Sequence, residues 1–235
     1  MRISDLQERA ARITAPMRTT AGEAFLEIVT PTLELLAGGK PASPKEIAAF
    51  AGKSPEEVQA ALDRFPSTEW DEQGRVVGLG LTLHLTPHRL KLEGRTLFAW
   101  CALDALLFPV LWGRPASIES PCRDTGEPVH IEVTPAGIEM VEPPSAVVSI
   151  VAARELANIR SVGCNNTHFF NSPEAASRWL EKHPEATILP VEEAFRLGQL
   201  IAEGVLDSPA RTSRRMPNAN NRLRKGAIAH EGGAR

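Results

Sequence analysis

Ser43-Pro44-Lys45-Glu46-Ile47-Ala48-Ala49-Phe50-Ala51-Gly52-Lys53-Ser54-Pro55-Glu56-Glu57-Val58-Gln59-Ala60-Ala61-Leu62-Asp63-Arg64-Phe65 holds two helix starts separated by one glycine. Ser43 reads as an N-cap with Pro44 at the first helical position, where a missing N–H costs nothing. Gly52 makes the turn, and Ser54-Pro55-Glu56-Glu57 is a capping box that leads into a second helix through Phe65. Two short helices joined by a tight turn predict a helix-turn-helix. Upstream, Phe25, Ile28, Val29, Leu33 and Leu36 recur at helical spacing, with Pro31 expected to kink or restart the helix and Gly38-Gly39 to end it. Downstream, Trp70 to Leu85 alternates around Gly74 and Gly78 as a hairpin would. Residues 23–92 therefore read as a winged-helix-like domain. Its second helix carries Glu56, Glu57 and Asp63 against Arg64 alone, the wrong charge for a major groove, so a structural role is the stronger reading and nucleic acid is not an expected partner.

The remainder is richer in strand. Thr96 to Leu111 is strongly apolar, and a helix from Thr96 or Gly94 to about Phe108 is expected there. Strands follow at Ala116–Ser120, Pro128–Val133, Val147–Ala152 and Thr167–Phe170, with a turn at Arg123-Asp124-Thr125-Gly126. Ser172-Pro173-Glu174 opens a helix through Lys182, and Val191–Leu206 reads as the last one. The expected class is α+β: a winged-helix-like helical region, then a core of mainly antiparallel sheet with flanking helices over residues 93–208. Residues 1–22 form an N-terminal extension. Residues 209–235 read as a basic tail expected to be disordered, with Arg211, Arg214, Arg215, Arg222, Arg224, Lys225 and Arg235 against Glu231.

A 43% hydrophobic share of 235 residues supports an ordinary core. The formal charge of −3, the absence of Tyr and an aromatic share of 5% give no basic or base-stacking surface. No apolar run of about 18 residues suggests a membrane span, and the charged first 17 residues do not resemble a secretory leader. A cytoplasmic location is expected, where thiols stay reduced.

That draws attention to Cys101, Cys122 and Cys164. Each could be a small buried hydrophobe. Cys101 and Asp104, however, are three apart and would share a helix face in apolar surroundings. Desolvation would raise the pKa of such a carboxylate until it could hold and deliver a proton near neutrality; capping of a nearby loop is the alternative role. Gly163-Cys164-Asn165-Asn166-Thr167-His168 holds the second cysteine, where Gly163 permits an unusual backbone or a close approach. A loop cysteine opposite a helix cysteine would clamp a soft metal. A Cys3His zinc site lacks the usual close cysteine pair. A Cys–His hydrolase pair, drawing on His84, His88, His130 or His168, has no local support. Cys122, after Ser120-Pro121, reads as structural, with direct ligation the lesser alternative.

Phe98-Ala99-Trp100-Cys101-Ala102-Leu103-Asp104, continuing through Phe108-Pro109 and Gly113-Arg114, resembles the core motif of the alkylmercury (organomercurial) lyases. Gly163-Cys164 to His168-Phe169-Phe170 resembles that family's second motif, and Cys122 with Thr125-Gly126 falls at its third cysteine position. The likeness runs in order from about Glu23 to Gly204, taking in Ser67 to Asp71, Gly78 to Leu83 and Val191 to Gln199.

The resemblance implies an enzyme of mercuric resistance and detoxification that converts R–Hg⁺ to R–H and Hg²⁺. It implies no organic cofactor, a need for exogenous thiols, and mercuric reductase as the downstream acceptor. By the same resemblance Cys101 and Cys164 are the mercury-binding thiolates and Asp104 manages the proton. Cys122, Trp100, Phe98 and Gly163 support the site. Apolar neighbours Phe98, Trp100, Leu103 and Phe169 would accept methyl and phenyl groups alike. Two rival readings share these cysteines. A soft-metal sequestering protein would need no Asp104, and a metal-sensing winged-helix regulator would need a basic recognition helix.

Overall fold

The computed structural model describes residues 2–17 and 22–206. The basic tail at 209–235 and most of the break expected at 16–21 lie outside them. Four helices open the chain: α1 (Ile3–Pro16), α2 (Gly22–Ala37), α3 (Pro44–Ala51) and α4 (Pro55–Asp63). Pro31 neither ends nor restarts α2, which is a single helix with the proline inside it. The Ser54 box forms as expected, the Glu57 N–H reaching Ser54 Oγ at 3.2 Å and the Ser54 N–H reaching Glu57 Oε2 at 2.7 Å. A second box forms at Ser43 with Glu46. Between them Gly52 takes the left-handed φ of 67° that ends α3. Ile47, Val58 and Leu62 are fully buried between these helices, and Glu56, Glu57, Asp63 and Arg64 face outward.

The wing comprises β1 (Glu69–Trp70), β2 (Val76–Leu79) and β3 (Leu81–Thr82). Its second turn is at Gly80 (φ 81°), not at Gly78, which lies within β2. Next come the hairpin β4 (His88–Leu92) and β5 (Arg95–Ala99), then α5 (Ala102–Trp112) and strands β6 (Ala116–Pro121), β7 (Pro128–Val133), β8 (Ile138–Glu142) and β9 (Val147–Ile150). After an irregular helical run at 156–166 the chain forms β10 (Phe169–Phe170), α6 (Pro173–Leu180), β11 (Thr187–Pro190) and α7 (Val191–Leu206).

The wing strands continue directly into the core. One eight-stranded antiparallel sheet runs β1-β2-β3-β5-β4-β6-β7-β8, and a smaller one runs β10-β9-β11. Leu81 pairs with Ala99, which joins the wing to the β4–β5 hairpin. The fold thus has the expected α+β arrangement of a helical N-terminal region and a sheet core with flanking helices. α7 packs on α5 and also carries α1 on its other contacts, so the first and last helices meet. Among the described residues no helix is long and apolar enough to cross a membrane.

One expected element moves. Residues 95–99 are strand β5, and the helix begins only at Ala102. An apolar run that short is compatible with either conformation, and cross-strand pairing of Leu90 with Leu97 and of His88 with Ala99 decides for strand. The shift matters because it places Cys101 at the strand-to-helix junction.

Candidate active site

Cys101 is the N-cap of α5, in extended backbone (φ −149°), and its sulfur accepts the Asp104 N–H at 3.3 Å. Capping geometry brings residues 101 and 104 together here, in place of the shared helix face that spacing suggested. The Cys101 thiol reaches Asp104 Oδ2 at 3.1 Å, and the Cys164 thiol reaches the same oxygen at 3.7 Å. The donor atoms of Cys101, Asp104 and Cys164 all lie within 4.8 Å of one another. Among the described residues this is the one cluster of that kind, and it includes neither Cys122 nor a histidine. The Cys3His zinc alternative therefore has no geometry to support it among the described residues.

Cys164 is delivered by an unusual stretch: a five-residue π-turn, Ile159–Gly163, followed by a 3₁₀ turn, Cys164–Asn166. Isolated π-turns are concentrated at functional sites. This one is stitched in place. The Thr167 hydroxyl donates to Gly163 O at 3.0 Å, and the Ser149 hydroxyl donates to Asn166 O at 2.9 Å. The Ala102 N–H donates to Thr167 O at 3.1 Å, tying the two cysteine segments directly. Gly163 has an ordinary φ of −76°, and a Cβ there would make ordinary contacts with Val151 O at 3.6 Å and Ala153 Cβ at 3.8 Å. Neither backbone nor contact demands glycine at that position.

Two other glycines do shape the site. At Gly78 a Cβ would fall 1.9 Å from Glu69 Oε2. The space is kept for a carboxylate that accepts the Thr82 hydroxyl and pairs with the Arg160 guanidinium. Arg160 in turn lies 4.5 Å from the Trp100 ring centroid, and Trp100 stacks on Phe65 at 6.4 Å. Gly80, in its left-handed conformation, accepts the Trp100 N–H at 2.7 Å, and a Cβ there would press on Phe108 at 3.2 Å. Arg160 escapes a sequence reading because its partner Glu69 is 91 residues away.

The site stores protons unevenly. Asp104 retains some exposure as a residue, but its carboxyl group is enclosed. That enclosure raises its pKa from 3.8 to about 6, against the opposing hydrogen bonds from Cys101 and Cys164 and the charge of Arg160. Burial, then Cys164 and the Asp104 charge, push the Cys101 thiol well above its usual range. Cys164 is drawn down by its contact with Cys101, but burial and Asp104 outweigh this and leave it raised. Near neutrality the cysteines are thiols and Asp104 is the nearby base. Burial holds His88 at about 3 and His168, helped by the Arg123 charge, at about 4, so neither can carry a proton at pH 7.

A folded-state pKa above the unfolded value means the fold binds the Asp104 proton more tightly. That stabilisation is complete below pH 3.8 and is lost as pH rises through about 6. Asp104→Asn should therefore raise Tm at pH 7.5 and leave it little changed at pH 4. A rise from 3.8 to about 6 bounds the gain at about 3 kcal/mol. Thermal denaturation at the two pH values checks this; an equal effect at both would contradict the enclosed, ionised carboxylate.

Cys122 stands apart, buried in the turn after β6. The Thr125 N–H reaches its sulfur at 3.5 Å, and the thiol faces Asn171 Oδ1 at 3.5 Å. Burial raises its pKa, but hydrogen bonds from Thr125, Asn171 and Asp124 outweigh it and leave it lowered. A cleft of about 640 Å³ joins this turn to Cys164; Trp100, Cys122, Arg123, Cys164, Asn165 and His168 are among its walls. Phe98, half-buried on β5, and the buried Leu103 and Phe169 do not line it. A smaller cleft of about 340 Å³ lies between Pro66–Glu69 and Ala157–Asn165, beside the Glu69–Arg160 pair.

Comparison with known proteins matches this architecture in both halves. The sequence profile of the helix-turn-helix domain of alkylmercury lyase matches residues 9–80, and that of alkylmercury lyase matches residues 81–203. The chain is 55% identical to an alkylmercury lyase of Staphylococcus epidermidis, over 72% of this chain and 78% of the relative. It is 48% identical to one of Bacillus cereus, over 84% and 91%, and 44% identical to one of Streptomyces lividans, over 88% and 97%. In fold it is similar to the crystal structure of the mercury-bound form of MerB2, with a TM-score of 0.71, 24% identity, and coverage of 86% of this chain and 99% of that one. A profile match across both halves, with relatives near half identity over most of their length, establishes that this chain belongs to the alkylmercury lyase family.

Proposed function

We propose that the chain breaks the carbon–mercury bond of alkyl- and arylmercury compounds by protonolysis, releasing the hydrocarbon and leaving Hg(II) on Cys101 and Cys164. The observation that carries the reading is one carboxylate oxygen serving both thiols, 3.1 Å from the sulfur of Cys101 and 3.7 Å from that of Cys164. A protein that merely sequestered mercury would gain nothing from an enclosed acid between its ligands.

The substrate arrives as R–Hg–SR′, since mercury is thiol-bound wherever thiols are present. Cys101 gives its proton to Asp104, and its thiolate forms a sulfur–mercury bond as R′S⁻ departs. Cys164 adds as the second sulfur and its proton passes out to R′S⁻. With two thiolates on mercury, electron density moves onto the carbon, and Asp104 returns its proton there as the Hg–C bond breaks. The sum is R–Hg–SR′ plus two thiols giving R–H, R′SH and a bis-thiolate Hg(II). Enclosure makes the protonation intramolecular, which supplies much of the rate. Two exogenous thiols then exchange the metal off and restore both cysteines, and mercuric reductase consumes the Hg(II).

Gas chromatography of protein incubated with phenylmercury or methylmercury and excess thiol tests this. Benzene and methane should form catalytically, with Hg(II) rising in step. Tight mercury uptake with neither hydrocarbon would leave a sequestering protein.

A further inference from the structure

We infer that the 640 Å³ cleft is the docking site for the thiol carrier of the organomercurial, and that Arg123 binds a carboxylate of that carrier. The inference rests on the lyase reading and adds to it the class of molecule that delivers the substrate. Size is the first observation. A methyl or phenyl group on mercury needs a few water volumes, each about 30 Å³, so most of the cleft serves something else.

Charge is the second. Three cations near the site are paired: Arg160 with Glu69, Arg178 with Asp124, and Arg89 with Glu119. Arg123 is exposed on the cleft wall and forms no ion pair among the described residues, because the adjacent acid, Asp124, is taken by Arg178. Its backbone is fixed by donation of its N–H to Phe169 O at 2.9 Å, so the guanidinium is presented from a rigid turn. A guanidinium on the cleft wall matches a carboxylate in a two-pronged geometry. A cysteinyl peptide or another carboxylate-bearing thiol fits. With the carrier held, Cys101 gives its proton to Asp104 and bonds to mercury, and the carrier sulfur leaves with the electron pair of the broken Hg–S bond, to be protonated by the incoming Cys164 thiol.

Methylmercury complexes of 3-mercaptopropionate, 2-mercaptoethanol and cysteamine differ mainly in carrier charge. Mixed with the protein in stopped flow, each transfers mercury next to Trp100, and quenching of tryptophan fluorescence gives the transfer rate without requiring bond cleavage. The ratio of native to variant rates cancels each carrier's own leaving ability. Arg123→Gln should slow transfer from mercaptopropionate roughly tenfold, as loss of a charge-assisted hydrogen bond does, and leave mercaptoethanol within about twofold. Arg123→Glu should make cysteamine the favoured carrier, and salt should narrow every difference. Equal effects on all three carriers, or none, would overturn the assignment. Charge-dependent transfer without hydrocarbon release would uphold it and sink the lyase reading; hydrocarbon release at carrier-independent transfer rates would do the reverse.

Discussion

Cys101→Ser should remove turnover with methylmercury, by at least roughly three orders of magnitude, while the protein remains folded. The two halves of this expectation come from different roles of one side chain. As the N-cap of α5, Cys101 accepts the Asp104 N–H, and serine is among the best residues for that task, so the helix start survives. As a ligand, a serine hydroxyl cannot replace a thiolate for a soft metal. The measurement pairs hydrocarbon release with thermal denaturation. Lost activity with native-like Tm is the expected result. Retained activity would remove Cys101 from the chemistry, and collapse of Tm would mean the sulfur is needed for packing.

Asp104→Asn should cut kcat by roughly 10²–10⁴-fold, the usual worth of a positioned proton carrier, while methylmercury is still retained through desalting. Asparagine keeps the shape and the hydrogen-bonding capacity but has no proton to take from Cys101 or to give to carbon. The native pH profile carries the same signature. Asp104 must be ionised to accept the thiol proton, so kcat/KM should fall as pH drops below about 6, and the variant should lack that limb. Since the same variant should be more stable at pH 7.5, loss of activity cannot be put down to a weakened fold. Equal losses of mercury retention and turnover would instead make Asp104 a ligand only.

Local chemistry made the helical elements legible. Ser43-Pro44, Ser54-Pro55-Glu56-Glu57 and Ser172-Pro173 are caps whose meaning is contained in a few residues, and all three helices start there. The Cys101–Asp104 half of the cluster was legible for a related reason: an acid three residues from a cysteine in an apolar run is costly unless paired or hydrogen-bonded. Elements fixed by distant partners were not. The strand at 95–99 depends on pairing with β4 and β3, and its apolar residues suit either conformation. β8, with Glu139 and Met140 exposed, and the four-residue β11 ending at Pro190 carry no alternation to read. The continuity of the wing with the core sheet, and the Glu69–Arg160–Trp100 arrangement, join residues far apart in the chain. Gly78 did signal something, but its neighbour in space was the Glu69 carboxylate, not a turn.

The central claim is that the proton delivered to carbon is drawn from the protein's own thiols through Asp104, and a single turnover without added thiol tests it most directly. Native protein would be mixed in slight excess over methylmercury in a sealed vial, with methane read from the headspace and mercury read on the desalted protein. The account predicts about one methane per methylmercury bound, Hg(II) retained on Cys101 and Cys164, and further turnover only when thiol is added. Intact methylmercury held on the protein with no methane would contradict it.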